Sequence, residues 1–168
     1  MIVIADTTPL ISLMKINKLV LLKELFGYIL IPEAVYHELT KNPSFKNEAE
    51  EIKNCKYIHV VCISSKKTAR ILRTATGLDI GESEAIVLVD EQNGNLLLVD
   101  EIKGRNVARQ MGIKIMGTIG ILLIALEKQL VTYTEITESV EILKNSGRHI
   151  KKELYETLLD TARKYKEK

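Results

Sequence analysis

The sequence is poor in the residue types that build disulfide-rich, zinc-stabilised or base-stacking proteins. Among its 168 residues there are two cysteines and three prolines, tryptophan is absent, and aromatic residues make up 5%. Two cysteines are too few for a disulfide framework, and Cys55 and Cys62 do not form the Cys-x-x-Cys pair of a structural zinc site. The scarcity of aromatic residues gives no indication of sequence-specific reading of single-stranded bases by stacking.

Long hydrophobic runs and a strong excess of one charge are also missing. After residue 100 the longest apolar stretch is Ile119 to Leu126, which is less than half of the roughly 20 residues that a membrane span needs. The first apolar run reaches Asp6 without a basic segment before it, so we expect neither a signal peptide nor a membrane anchor, and a cytoplasmic location. With a net charge of +2, any affinity for nucleic acid must come from local basic patches.

The pattern that is present predicts an α/β fold. A hydrophobic content of 46% over this length supports one domain with a modest extension and excludes disorder. Short apolar runs that predict strands alternate with segments of helical periodicity, and the predicted strands lie at about 2–5, 28–31, 57–63, 96–99 and 113–116. This alternation is typical of a three-layer sandwich with a central, mostly parallel sheet. We predict an α/β domain over residues 1–130 and a helical extension over 131–168 that packs on it.

Two of the predicted strands end in an aspartate, Asp6 and Asp100. Ligands of open parallel sheets bind beyond the carboxyl ends of the strands, and two carboxylates at that edge would repel each other without a cation. Mg²⁺ or Mn²⁺ suits such a place, because these ions take carboxylates, waters and substrate phosphate as ligands. The alternative for each aspartate alone is helix capping, which is worth about 1 kcal/mol.

Further acids lie on predicted helices. Glu38 flanks the inward-facing residues of the helix after the second strand, and Glu82 lies at the start of the helix over about 81–92, on the same stripe as its apolar residues. Glu84 is about 160° away from Glu82 around that helix, so both cannot approach one ion. We therefore choose Glu82 and interpret Asp79 and Glu84 as a capping and a solvated residue.

The order and spacing of these residues resemble a PIN domain. The resemblance extends over essentially the whole chain and rests on Asp6-Thr7-Thr8-Pro9-Leu10-Ile11, Val35-x-x-Glu38-Leu39, the acidic helix start and the strand-ending Asp100. Leu78-Asp79-x-Gly81-Glu82-x-Glu84-Ala85-Ile86 and Gly117-Thr118-x-Gly120 are similar to a VapC-like subgroup of PIN proteins.

The resemblance implies a Mg²⁺- or Mn²⁺-dependent ribonuclease, often the toxin of a toxin–antitoxin pair. In this interpretation Asp6, Glu38, Glu82 and Asp100 are catalytic and bind the metal. Thr7, Thr8, Arg105 and Thr118 are then the candidate substrate-binding residues, with Thr7 or Thr8 able to support Asp6 instead. For Arg105, an ion pair with Glu101 at i, i+4 is the alternative to a phosphate contact.

Two other functions remain open at this stage. The family's third acid is usually aspartate and here is Glu82, so a catalytically weak PIN-like module that binds RNA or protein is the alternative to an enzyme. A phosphotransfer domain with Asp6 as acceptor is disfavoured, because the second nearby aspartate of phosphatase motifs is missing. A nucleophilic triad has no support, since no histidine shares a short motif with a serine or cysteine.

Basic and apolar segments suggest partners. The segment from Lys66 to Arg73 has four positive charges, and eight basic residues against four acids lie between Lys144 and Lys168. Such patches beside an acidic pocket suit RNA, although a solvated helix face is the ordinary explanation of a charge run. The apolar segment from Leu10 to Phe26 is either core or a face for a homodimer or an antitoxin.

Overall fold

A single five-stranded parallel sheet forms the centre of the protein. The computed structural model describes residues 1–147 and 151–166, so Arg148 and Lys168 of the predicted basic C-terminal segment, and the side chain of Lys166, lie outside what is described. The strands are β1 (Val3–Ala5), β2 (Ile29–Pro32), β3 (Ile58–Val61), β4 (Leu96–Leu98) and β5 (Ile115–Met116). Their order in the sheet is β3-β2-β1-β4-β5, and every pair is parallel.

Helices lie between the strands and after the last one, in the alternation that the sequence predicts. They are α1 (Thr7–Lys15), α2 (Leu21–Phe26), α3 (Glu33–Lys41), α4 (Lys46–Asn54), α5 (Lys66–Thr76), α6 (Ile80–Glu91), α7 (Ile102–Gln110), α8 (Thr118–Glu127), α9 (Tyr133–Asn145) and α10 (Lys152–Lys166), with a short 3-10 turn at Pro43–Phe45. In the part of the chain that the structure describes, no helix has the length and apolar character to cross a membrane.

The side chains of the sheet alternate between two cores. Val3 and Ala5 of β1 pack with α1, α8 and other helices on one face, whereas Ile4 packs with α6 on the other, as the two-residue period of a strand requires. The helices therefore cover both faces, which is why β1, β2 and β4 are buried and apolar, whereas the edge strand β3 exposes His59 and Val60. The predicted three-layer α/β sandwich is confirmed.

The strand order places a crevice between β1 and β4. From β1 the chain runs outward to β2 and β3, and then returns to place β4 on the other side of β1. This reversal is the point at which open parallel sheets bind ligands, beyond the carboxyl ends of the two strands. Asp6 directly follows β1, and its backbone N–H donates to the carbonyl oxygen of Leu98 at 3.0 Å. The end of β1 is thus fixed beside the end of β4.

The apolar segment predicted as core or as a docking face belongs mainly to the core. Most of its large side chains are buried, among them Leu10, Leu13 and Leu22, while Val20 is the exposed exception. The other partner predictions, a homodimer and an antitoxin, stay predictions.

The last two helices share the core of the first domain. Val140 and Leu143 of α9 and Leu158 and Ala162 of α10 are fully buried, in the same cluster as side chains of α1 and α8. The boundary predicted at residue 130 falls between α8 and α9, and side chains from both sides of it pack together.

Replacing Leu158 by alanine tests this shared core. Leu158 is 0% exposed, and Leu154 of the same helix is 47% exposed and serves as the matched control. We expect Leu158→Ala to lower the free energy of unfolding by about 2–5 kcal/mol in urea titrations. Leu154→Ala should cost clearly less, because its side chain is half in water. Equal small losses would contradict a shared core.

Candidate functional site

Asp6 is a buried carboxylate that the structure does not use as a helix cap. It occupies the N-cap position of α1, but its side chain makes no capping hydrogen bond, and it is only 3% exposed. None of the ion pairs within residues 1–147 and 151–166 involves it. The capping alternative considered from the sequence therefore does not account for Asp6.

The charges that act on Asp6 are negative. Burial, together with the smaller effect of the nearby carboxylates of Asp79, Glu82 and Glu38, raises the pKa of the Asp6 carboxyl to about 8, while the backbone N–H of Thr7 acts in the opposite direction. A carboxylate in this place is disfavoured both by the loss of water and by repulsion. Two of the other predicted acids, Glu38 and Glu82, thus lie close enough to Asp6 to raise its pKa, and Asp79 does the same.

The first turn of α6 fixes two of these acids in a capping box. Asp79 accepts a hydrogen bond from the backbone N–H of Glu82 at 2.8 Å, and Glu82 Oε2 accepts one from the backbone N–H of Asp79 at 3.0 Å. The predicted capping role of Asp79 is confirmed. Burial and the charges of Asp79 and Glu101 raise the pKa of Glu82, although its cap bond and Lys103 oppose the shift.

Asp79 also lies close to Asp6, which the sequence analysis did not predict. A Cβ atom built on Gly81 would lie 3.5 Å from Asp6 Oδ1 and 3.4 Å from Asp79 Oδ1, so the two carboxylates lie against the same glycine. The sequence already indicated this proximity, because Asp79 is the N-cap of α6 and therefore belongs to the same helical turn as Glu82. The interpretation as a cap did not indicate this position, although the same atom, Asp79 Oδ1, accepts the Glu82 N–H and lies against Gly81 beside Asp6 Oδ1.

The prediction that Glu84 is a solvated residue was wrong. Glu84 is buried, accepts a hydrogen bond from the backbone N–H of Ala34 at 3.1 Å and pairs with Lys66 at 3.2 Å. The reason is that α6 is covered on all sides from Gly81 to Val89, so no face of this stretch is left for water. Glu82 and Glu84 do face different neighbours, as the helical period predicts.

Glu38 is oriented by Thr7. The Thr7 hydroxyl donates to Glu38 Oε2 at 2.7 Å, and Thr7 is itself buried. Val35 and Leu39 of α3 are fully buried, which turns the half-buried Glu38 toward α1. Of the two threonines predicted to support Asp6 or the substrate, Thr7 contributes a hydroxyl to Glu38 and an amide to Asp6, and Thr8 lies half-buried beside it.

Asp100 is held by the start of α8 and does not cap α7, whose N-cap is Glu101. Its Oδ1 accepts the backbone N–H of Thr118 at 2.7 Å and its Oδ2 accepts the Thr118 hydroxyl at 2.6 Å. Arg105 donates from Nη1 to the carbonyl oxygen of Val99 at 2.9 Å, and the ion pairs of the described residues do not include the alternative Glu101–Arg105 pair.

The donor chemistry fits a hydrated hard cation. No three acidic, histidine or cysteine side chains among the described residues are grouped so that they could enclose a metal ion. Mg²⁺, however, usually keeps several waters and binds through only one or two carboxylates. The Asp6 carboxylate is surrounded by other negative charges, and a bound divalent cation would reduce the repulsion between them.

Basic side chains lie on the helices next to the acids. Lys66 is engaged by Glu33 and Glu84 and is therefore not available to a substrate in this arrangement, whereas Lys67, Arg70 and Arg73 of α5 are exposed. Lys103 of α7 donates to the carbonyl oxygen of Gly77, immediately before the capping box. Of the four basic residues predicted to form a patch on α5, three therefore remain available to a substrate.

The raised pKa of Asp6 predicts a pH dependence of stability. The carboxyl keeps its proton up to about pH 8 in the folded protein but loses it near 3.8 when unfolded, so folding is penalised increasingly as pH rises between these values. In EDTA, we expect Asp6→Asn to be more stable than the wild type at pH 8.5, with the difference shrinking toward pH 5. Urea unfolding at several pH values measures this, with the exposed Asp90 as a control in Asp90→Asn. A constant difference across this range would contradict it.

The comparison with protein families agrees with this geometry. A family model described as a PIN domain matches residues 2–164, almost the entire chain. The comparison with curated proteins found no match. PIN domains are in general nucleases that use divalent metals. The resemblance seen in the sequence is confirmed at the level of the family, and the chain belongs to the PIN domain family.

Proposed function

We propose that the protein is a Mg²⁺- or Mn²⁺-dependent endoribonuclease whose site is formed by Asp6, Asp79, Glu38, Glu82 and Asp100. The observation that supports this most directly is the buried Asp6 carboxylate, which is surrounded by negative charges. A residue that only stabilised the fold would gain from a cationic partner, as Glu84 does from Lys66.

The side chains of the proposed site would have different roles in binding the metal ion and its waters. When bound, the metal would make a coordinated water more acidic and offset charge on the scissile phosphate. Asp6 and Asp79 lie against Gly81 and would bind the ion and its waters. Glu38, oriented by Thr7, and Asp100, held by Thr118, would complete the acidic wall. Water attack at phosphorus with departure of the 3′ oxygen leaves a 5′ phosphate and a 3′ hydroxyl.

RNA is the substrate that the surroundings favour. The exposed Lys67, Arg70 and Arg73 on α5 and Lys103 on α7 flank the loop that leads into α6. Lysine and arginine beside an acidic site bind the phosphates that flank the scissile one and supply affinity independent of sequence. The role of a toxin with an antitoxin partner belongs to the same proposal and rests on the similarity of the Gly81–Ile86 segment to VapC-like proteins.

Cleavage of single-stranded RNA by purified protein tests the activity. With Mn²⁺ we expect cleavage, and with EDTA none. Asp6→Asn, Asp79→Asn and Asp100→Asn should each lower the rate by at least about 100-fold, because each removes a charge from the metal site. Asparagine is as good an N-cap as aspartate, so Asp79→Asn should keep α6 intact. Asp90→Asn on the exposed side of α6 is the matched control.

The outcomes separate the proposed enzyme from the alternatives. Products with 2′,3′-cyclic phosphate ends would contradict water as the nucleophile. RNA that is bound tightly but left uncut by metal-loaded wild-type protein would favour the catalytically weak binding module. Unchanged cleavage by the Asp6 variant would show that the site lies elsewhere.

Metal binding can be measured without RNA through stability. Since a ligand of the folded state raises the free energy of unfolding by about 2.7 kcal/mol at 100 times its dissociation constant, saturating Mg²⁺ should raise the melting temperature of the wild type. The rise should be larger at pH 8.5 than at pH 6, because the metal competes with the proton on Asp6, whose pKa is about 8. Asp6→Asn should lose the rise and Asp90→Asn should keep it. A rise in Asp6→Asn equal to that of the wild type would rule out Asp6 as a ligand.

A further inference from the structure

The two oxygens of Asp100 are both held by one residue, Thr118, eighteen positions further along the chain. The backbone N–H binds Oδ1 at 2.7 Å and the hydroxyl binds Oδ2 at 2.6 Å. Thr118 is 0% exposed. Because its side chain has no surface exposed to solvent, we treat Thr118 as a partner of Asp100 and not as the substrate contact that the sequence suggested.

The residue before Thr118 is a glycine for reasons of space. A Cβ atom on Gly117 would lie 2.6 Å from Asp100 Oδ1 and 2.9 Å from Arg105 Nη1. Its backbone, with φ −107° and ψ 178°, is extended and open to any residue. The backbone conformation therefore does not require glycine at this position. A side chain is excluded because the Asp100 carboxylate occupies the space that its Cβ atom would need.

The helix that holds Asp100 is firmly embedded. Ile121, Leu122 and Ala125 of α8 are fully buried in the core that also contains α9 and α10. The carboxylate lies at the N-terminus of α8, where the helix dipole stabilises a negative charge. Asp100 is thus held by an element that is embedded in the core.

We propose that Thr118 is the positioning residue of Asp100 and that Gly117 keeps the space for that carboxylate. The proposal rests on the proposed function, in which Asp100 belongs to the metal site. Partners that orient the carboxylates of a metal site typically affect metal affinity or activity by about 10–100-fold when they are lost. A neutral hydroxyl can orient Asp100 while leaving its charge available to a cation.

The hydroxyl is tested with Thr118→Val, and Thr118→Ser is the conservative variant. Valine has nearly the shape of threonine and keeps the backbone N–H bond, so it removes only the bond to Oδ2. We expect Mn²⁺ affinity, measured by calorimetry without RNA, to fall about 10–100-fold in Thr118→Val and to recover in Thr118→Ser. In cleavage assays kcat should fall in parallel while KM for RNA stays unchanged.

A second variant displaces the carboxylate from the other side. Gly117→Ala would force Asp100 Oδ1 to move, and we expect it to weaken Mn²⁺ binding as Thr118→Val does. Gly120→Ala in α8 is its matched control, because there the added Cβ would meet Met116 Cγ of β5 at 2.8 Å and no acid. Ser139→Ala, which removes another buried hydroxyl, controls for the loss of a buried hydrogen bond.

Each other outcome overturns the proposal in a recognisable way. A higher KM with unchanged Mn²⁺ affinity would make Thr118 a substrate contact. Lower stability with wild-type Mn²⁺ affinity and kcat would make it a purely structural residue. If the wild type binds Mn²⁺ and cleaves RNA and Thr118→Val does the same, only this inference is wrong. If the wild type does neither, the proposed function is wrong together with it.

Discussion

The burial of one negative charge at the centre of the sheet is the constraint on which the site depends. Asp6 is placed there because β1 is the middle strand and ends where α1 begins, so a residue at this point is covered by the sheet and by helices on both faces. Such a carboxylate destabilises the folded chain unless a proton or a cation accompanies it. A buried, destabilising charge of this kind is typical of functional sites.

The acids of this protein fall into two groups according to the partner that holds them. Glu84 has a lysine, and its charge is neutralised within the fold. Glu38 and Asp100 each accept a hydrogen bond from a threonine hydroxyl, which fixes the direction of the carboxylate, and the guanidinium of Arg105 also acts electrostatically on Asp100. A neutral donor orients a carboxylate without neutralising it, whereas the lysine neutralises Glu84 within the fold.

The sequence predicted the parts of this structure that depend on local pattern. Apolar runs located the five strands, and the aspartates after two of them pointed to the edge of the sheet where Asp6 now lies, because strand period and sheet topology are properties of short segments. Helical periodicity also separated Glu82 from Glu84 correctly. It could not reveal that α6 is enclosed on all sides, since the covering residues, such as Lys66 and Ala34, come from other elements. The Thr118–Asp100 bond was missed for the same reason, because its two partners are eighteen positions apart in the chain. Asp79 was interpreted only as a cap, although it lies in the same helical turn as Glu82.

The attachment of Asp100 to α8 has a consequence for how the chain can change. Helix α8 is bound to Asp100 at its first turn and packs along its body against α9 and α10. Substitutions in the last helices that shift α8 would be transmitted to a carboxylate about thirty or more residues earlier in the chain. We therefore expect substitutions in α9 and α10 to be accompanied by compensating substitutions in α8 that keep its axis in place. Relatives that retain Asp100 should then show covariation between residues of α8 and α10.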